Sequence, residues 1–139
     1  MRRQEEIFSR LVEIARILRS EEGCPWDRAQ NAESLAQCVL SEAQELREAV
    51  SARDNDAIGE EMGDVLFTLL SMAVLAEEQG SFSLVELLEQ LAAKMVRRHP
   101  HVFGTASAKT VQEALQCWNE AKKSEKPDGP TSRRSKGAN

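Results

Sequence analysis

Residues 40–76 read LSEAQELREAVSARDNDAIGEEMGDVLFTLLSMAVLA, two helical patterns joined by the polar RDND at 53–56. Before the joint, Leu35, Cys38, Glu42, Glu45, Ala49 and Ala52 recur at intervals of three and four, the signature of one helix face. After it, residues 65–76 carry no charge, and Glu61 and Asp64 stand three apart just ahead of them. A connection this short folds two helices into an antiparallel hairpin. The hairpin is the predicted centre of the fold.

Working outward, the same 4,3,4 spacing links Ile7, Leu11, Ile14 and Leu18, then Leu84, Leu88, Leu91 and Met95, then Val111, Leu115 and Trp118. Gly23 and Gly80 follow helical stretches, and Ser83 with Glu86 and Thr110 with Glu113 fit the S/T-x-x-E capping box. No strand-like alternation competes. The sequence predicts helices at 3–20, 31–52, 56–79, 83–98 and 110–123, an all-α bundle of about five helices built around the hairpin. Residues 1–123 are expected to form the domain, and 124–139, SEKPDGPTSRRSKGAN, a disordered basic tail with little to bury. There is no internal repeat.

With 139 residues, 41% hydrophobic and 29% charged, the chain suits one soluble domain. A formal charge of −5 argues against nucleic acid as a partner, because that affinity comes mostly from Lys and Arg. Cys24, Cys38 and Cys117 are an odd number without a CxxC pair, which suggests neither a disulfide framework nor a zinc site; Cys38 reads as a small core residue. The N-terminus lacks an apolar signal core, and 65–76 is shorter than the roughly 20 residues that span a bilayer. The expectation is a cytoplasmic protein without a membrane partner. Exposing the apolar seams of five short helices would be costly for a monomer, so a homo-oligomer, dimer or tetramer, is expected.

Two glutamates on a core-facing stripe need a countercharge, and coordination of a cation supplies one. Counting back from the turn puts the first acidic pair about 11 residues away and the second about 8, a difference in level of about 4 to 5 Å at a rise of roughly 1.5 Å per residue. Glu42, Glu45, Glu61 and Asp64 can therefore converge. One such pair alone would read as a solvated helix face; two level pairs point to a site. Oxygen ligands without nitrogen or sulfur suit Mg²⁺, with Mn²⁺ as a substitute. A di-iron bundle would use Glu-x-x-His, whereas positions 45 and 64 are Glu and Asp and both histidines, His99 and His101, lie in the loop HPH.

The order E-x-x-E, a gap of 15 residues and E-x-x-D, with CPWDRAQ upstream and RRHPHVFG downstream, resembles the MazG-type nucleoside triphosphate pyrophosphohydrolases, an all-α family. The resemblance runs from about residue 22 to residue 122. It implies a Mg²⁺-dependent enzyme that cleaves a nucleoside triphosphate between its α and β phosphates, giving monophosphate and pyrophosphate, and that assembles as a homodimer or larger. It assigns the metal ligands to Glu42, Glu45, Glu61 and Asp64, and phosphate and nucleotide contacts to Lys94, Arg98, Trp118 and Lys122. Two positions depart from the family pattern. Many relatives carry Glu where this chain has Ser41, and an aromatic residue where it has Gln44. The extra Glu is a proposed water activator in some branches, so the general base falls to one of the cluster's own glutamates, Glu45 foremost. Some relatives also carry two copies of the domain in tandem.

The remaining residues each have two readings. Lys94 and Arg98 are i,i+4 neighbours with Arg97 beside them, placed either to complement a helix dipole or to meet an oligophosphate. Lys122 continues the stripe of Val111, Leu115 and Trp118 and either snorkels to solvent or meets a phosphate. Trp118 and Trp26 are core residues or platforms for a base, and the CPWD loop is either a lid or a short helix capped by Asp27. His99 and His101 flank Pro100 in what reads as a shaped turn locked by Phe103 and Gly104. The rival to the enzyme is a non-catalytic helical oligomerisation module with a structural cation. Which base is preferred, and whether the purpose is cleansing or control of nucleotide pools, is not legible.

Overall fold

The computed structural model describes residues 1–125, and among them it contains seven α-helices and no strand. The helices are α1 (Arg2–Arg19), α2 (Pro25–Ala29), α3 (Ala32–Ala52), α4 (Asn55–Glu78), α5 (Leu84–Arg98), α6 (Pro100–Phe103) and α7 (Val111–Ser124). The all-α expectation holds, and the five expected helices appear within a residue or so of their predicted ends. The two additions are short and each opens on proline, whose fixed φ and missing N–H suit a first helical position. Neither is long enough to show a period. The expected tail from residue 126 onward lies outside the described residues; Ser124, assigned to that tail, instead closes α7.

The chain forms two compact units, Met1–Leu87 and the part from Leu88 onward. In the first, α3 packs along α4, α1 lies against α4, and α2 against α1. The hairpin turn is specified residue by residue. Arg53 ends α3 in the left-handed region (φ 56°), and Asp54 caps α4 by accepting from the N–H groups of Asp56 and Ala57, both at 3.1 Å. At the far end of α3, Asn31 and Ser34 exchange side-chain and backbone hydrogen bonds as a reciprocal cap. α4 stops at Gly80 (φ 65°), where the N–H groups of Gly80 and Ser81 reach the carbonyls of Glu77 and Ala76. These caps fix the register of the two helices that carry the acids.

Val12, Leu70, Ala73 and Leu84 form the buried cluster, with Phe8 and Leu11 packed against it. A stretch without charge such as 65–76 belongs in a core, yet full burial begins only at Leu70; Leu66 and Leu69 are 44% and 47% exposed. The seams of α5 and α7 are likewise open at Leu88, Leu91, Val111 and Leu115. Around the core, Glu77 accepts from Arg16 at 3.0 Å and from the backbone N–H of Leu84 at 2.9 Å, which ties α4 to α1 and to the start of α5. Ser83 and Glu86 form the predicted capping box.

In the second unit α6 packs on α7. The predicted turn around Pro100 is a single helical turn, closed by the N–H groups of Gly104 and Ala106 on the Pro100 carbonyl. Phe103 does not lock it, being 64% exposed. His99 does help, donating from Nδ1 to the Met95 carbonyl at 2.5 Å. Thr110 caps α7 by accepting from the N–H of Glu113, but the Glu113 carboxylate accepts from the N–H of Lys109, so only half of the expected capping box forms.

Candidate metal centre

Glu42 and Glu45 on α3 and Glu61 on α4 each bring a carboxylate oxygen within 4.8 Å of the other two. Glu42 and Glu61 are half-buried, and the Oε2 atom of each is shut off from solvent without a hydrogen-bond partner. Burial pushes the carboxyl of Glu42 up from its ordinary range, and the neighbouring Glu45, Asp64 and Glu61 push it further. Glu61 is raised in the same way, by burial and then by the charges of Glu45, Asp64 and Glu60. None of the ion pairs among the described residues involves these acids.

The core-facing stripe places both Glu42 and Glu45 inward, and the structure corrects this for Glu45. Glu45 and Asp64 are exposed, and Asp64 lies outside the 4.8 Å group although its charge still acts on Glu42 and Glu61. Its side chain is one methylene shorter than its partners'. The arrangement is two acids inside and two toward solvent. Orphaned, converging carboxylate oxygens with no countercharge are what a hard divalent cation satisfies, so the residues present fit such an ion. An open groove of about 430 Å³ runs beside Glu45, lined also by Gln37, Leu40, Ser41, Gln44 and Glu48. Ser41 and Gln44, the two departures, therefore border the cluster's exposed side.

Trp26 sits on α2, 59% exposed. Asp27 lies in the first turn of that helix, and Cys24 holds the cap position expected of Asp27. What anchors α2 is Arg19, a residue that no motif or spacing singles out. Its side chain is 7% exposed, donates to the carbonyls of Asp27 (2.6 Å) and Gln30 (3.3 Å), and pairs with Glu78 at 3.0 Å.

The second unit carries the other candidates. Lys94 is half-buried and Lys122 exposed. The guanidinium of Arg98 lies 5.0 Å from the centroid of the half-buried Trp118 ring, and His99 meets the same ring edge-on at 5.2 Å. Arg97 and Arg98 both pair with Glu125, at 3.1 and 3.0 Å. Their charges and hydrogen bonds, Arg98 foremost, hold the Glu125 carboxyl down to about 2. Glu125 had been expected in the tail, and no spacing rule links it to residues 27 and 28 positions away.

A family model described as the MazG nucleotide pyrophosphohydrolase domain matches residues 30–103, more than half of the chain and all of the carboxylate hairpin. The chain belongs to the MazG family. Among similar proteins, the nucleoside triphosphate pyrophosphohydrolase/pyrophosphatase MazG of Thermotoga maritima is 39% identical over 91% of this chain and 48% of its own length. The uncharacterized protein YabN of Bacillus subtilis is 41% identical over 86% of this chain and 24% of its own length. The chain thus spans about half, or a quarter, of the length of these MazG relatives. The crystal structure of a MazG-related protein from Thermotoga maritima superposes with a TM-score of 0.70 at 32% identity, covering 83% of this chain and 98% of that one. None of the described helices is long and apolar enough to cross a membrane.

Proposed function

We propose that this chain is a Mg²⁺-dependent nucleoside triphosphate pyrophosphohydrolase that cleaves between the α and β phosphates to give a monophosphate and pyrophosphate. The observation that carries the reading is the convergence of Glu42, Glu45 and Glu61 with two oxygens left unpartnered. Glu42 and Glu61 would hold the ion from inside, and Glu45 and Asp64 would add acidic charge from the solvent side. A bound divalent cation supplies charge that offsets the negative charge growing on phosphate oxygens. Glu45, exposed beside the ion site, takes the proton from the water that attacks the α phosphorus.

The same proposal gives the phosphates to Lys94, Arg97, Arg98 and Lys122, and the nucleoside to Trp26 and Trp118. Large apolar side chains open to solvent, such as Ile17, Leu40, Val50 and Met62, support a homo-oligomer. Light scattering of the purified chain tests that assembly.

The activity is tested with Mg²⁺ and a panel of standard and modified triphosphates. Monophosphate and pyrophosphate should appear together and disappear in Glu42→Gln and Asp64→Asn. Orthophosphate as first product would contradict the bond assignment. Metal-dependent melting without turnover of any triphosphate would instead favour a helical interaction module with a structural cation.

A further inference from the structure

Arg98 meets Glu125 through one edge of its guanidinium. Nε donates to Oε1 at 3.0 Å and Nη2 to Oε2 at 3.1 Å, a side-on fork, while Cζ lies over the Trp118 ring, 5.0 Å from its centroid. The Arg98 side chain is only 14% exposed, so the fork and the ring together restrict it. The end-on edge, formed by Nη1 and the second hydrogen of Nη2, donates to no acceptor among the described residues. An end-on guanidinium edge matches two oxygens of a phosphate. Glu125 also accepts from Nε of Arg97 at 3.1 Å, so two guanidinium groups share one carboxylate and the cluster keeps an excess positive charge. A carboxylate beside an oligophosphate would repel it; on the far edge of the arginine it orients the donor instead.

We propose that Glu125 is a positioning residue for phosphate binding, holding Arg98 against Trp118 so that its end-on edge faces a phosphate of the nucleotide. The proposal rests on the reading of Arg98 as a phosphate contact. Glu125 does not itself touch substrate. Its effect passes through the orientation of the arginines it holds, Arg98 foremost and Arg97 beside it, which distinguishes it from an ion pair that only fastens the end of α7.

The test is steady-state kinetics of the full chain with a triphosphate that the wild type turns over. Glu125→Gln keeps the shape but loses the charge-assisted fork, and should raise KM about 10-fold while kcat changes less than about threefold. Glu125→Asp should recover part of that loss. In an Arg98→Ala background, Glu125→Gln should add a clearly smaller rise, because only Arg97 remains for it to hold. An unchanged KM in Glu125→Gln, or an equal rise in both backgrounds, overturns the assignment, as does loss of folding in both Glu125 variants. Should the wild type turn over no triphosphate, the phosphate reading of Arg98 fails and the proposal falls with it. Should the wild type be active and Glu125→Gln indistinguishable from it, this proposal alone fails.

Discussion

Glu42 of α3 and Glu61 of α4 face each other across the hairpin with carboxylate oxygens no more than 4.8 Å apart, and each keeps its Oε2 out of solvent without a partner. Two desolvated like charges oppose folding unless a proton or a cation intervenes. The hairpin is therefore less stable than it would be without them.

Glu61→Gln should accordingly raise the melting temperature of the metal-free chain while lowering turnover by on the order of 100-fold or more. Differential scanning calorimetry in chelator and a pyrophosphate-release assay check the two halves. A variant that melts lower without metal would contradict the repulsion.

Acidity should act on the same pair with a definite sign. Because the folded pKa values of Glu42 and Glu61 lie above the ordinary carboxylate value, the folded chain holds protons that the unfolded chain has released. Their contribution to stability is thus most favourable in acid and is lost as pH rises from the ordinary carboxylate range through the raised values. The stability gap between Glu61→Gln and wild type should widen over that interval in chelator and narrow when Mg²⁺ is added. Glu125 works the other way: held down to about 2, its contribution is present above the ordinary range and is lost as pH falls toward 2. Urea midpoints measured across pH for wild type, Glu61→Gln and Glu125→Gln check both signs.

Gly23→Ala should be strongly destabilising. A Cβ there would collide with the carbonyl oxygens of Ile17 and Leu18, backbone atoms that cannot step aside because Cys24 donates to the same Leu18 oxygen at 2.8 Å. A loss of roughly 2 kcal/mol or more is expected from a clash against backbone, readable by urea denaturation.

Glu77→Ala should cost about 1 to 3 kcal/mol, because it strips the Leu84 N–H of its acceptor as well as breaking the contact with Arg16. Glu77→Gln, which can still accept from Leu84, should cost less. Equal losses in the two variants would assign the effect to charge alone.

Much of the fold was legible because long amphipathic helices advertise their period and their caps. Ser83 with Glu86 and Thr110 with Glu113 were found by spacing, while Asn31 with Ser34 performs the same function with residues the S/T-x-x-E pattern does not include. α2 was only one of two readings of CPWD and α6 was read as a turn, because five and four residues cannot display a 3.6-residue repeat. Of the acidic cluster, counting from the turn brought Glu42, Glu45 and Glu61 together as the structure does, but it included Asp64, which lies outside the group, and did not give their exposure. Helix phase places a Cβ; whether Glu45 or Asp64 ends inside or outside depends on side-chain length and on neighbours. Arg19 and Glu125 were invisible for a different reason. Arg19 pairs with a residue 59 positions away and Glu125 with residues 27 and 28 away, so no local pattern encodes either contact.

The most direct test of the central claim is hydrolysis of a nucleoside triphosphate in ¹⁸O-labelled water with Mg²⁺, followed by mass spectrometry of both products. Attack at the α phosphorus predicts label in the monophosphate and none in the pyrophosphate, with no turnover in chelator or in Glu61→Gln. Label in the pyrophosphate, or undiminished turnover in Glu61→Gln, would contradict the account.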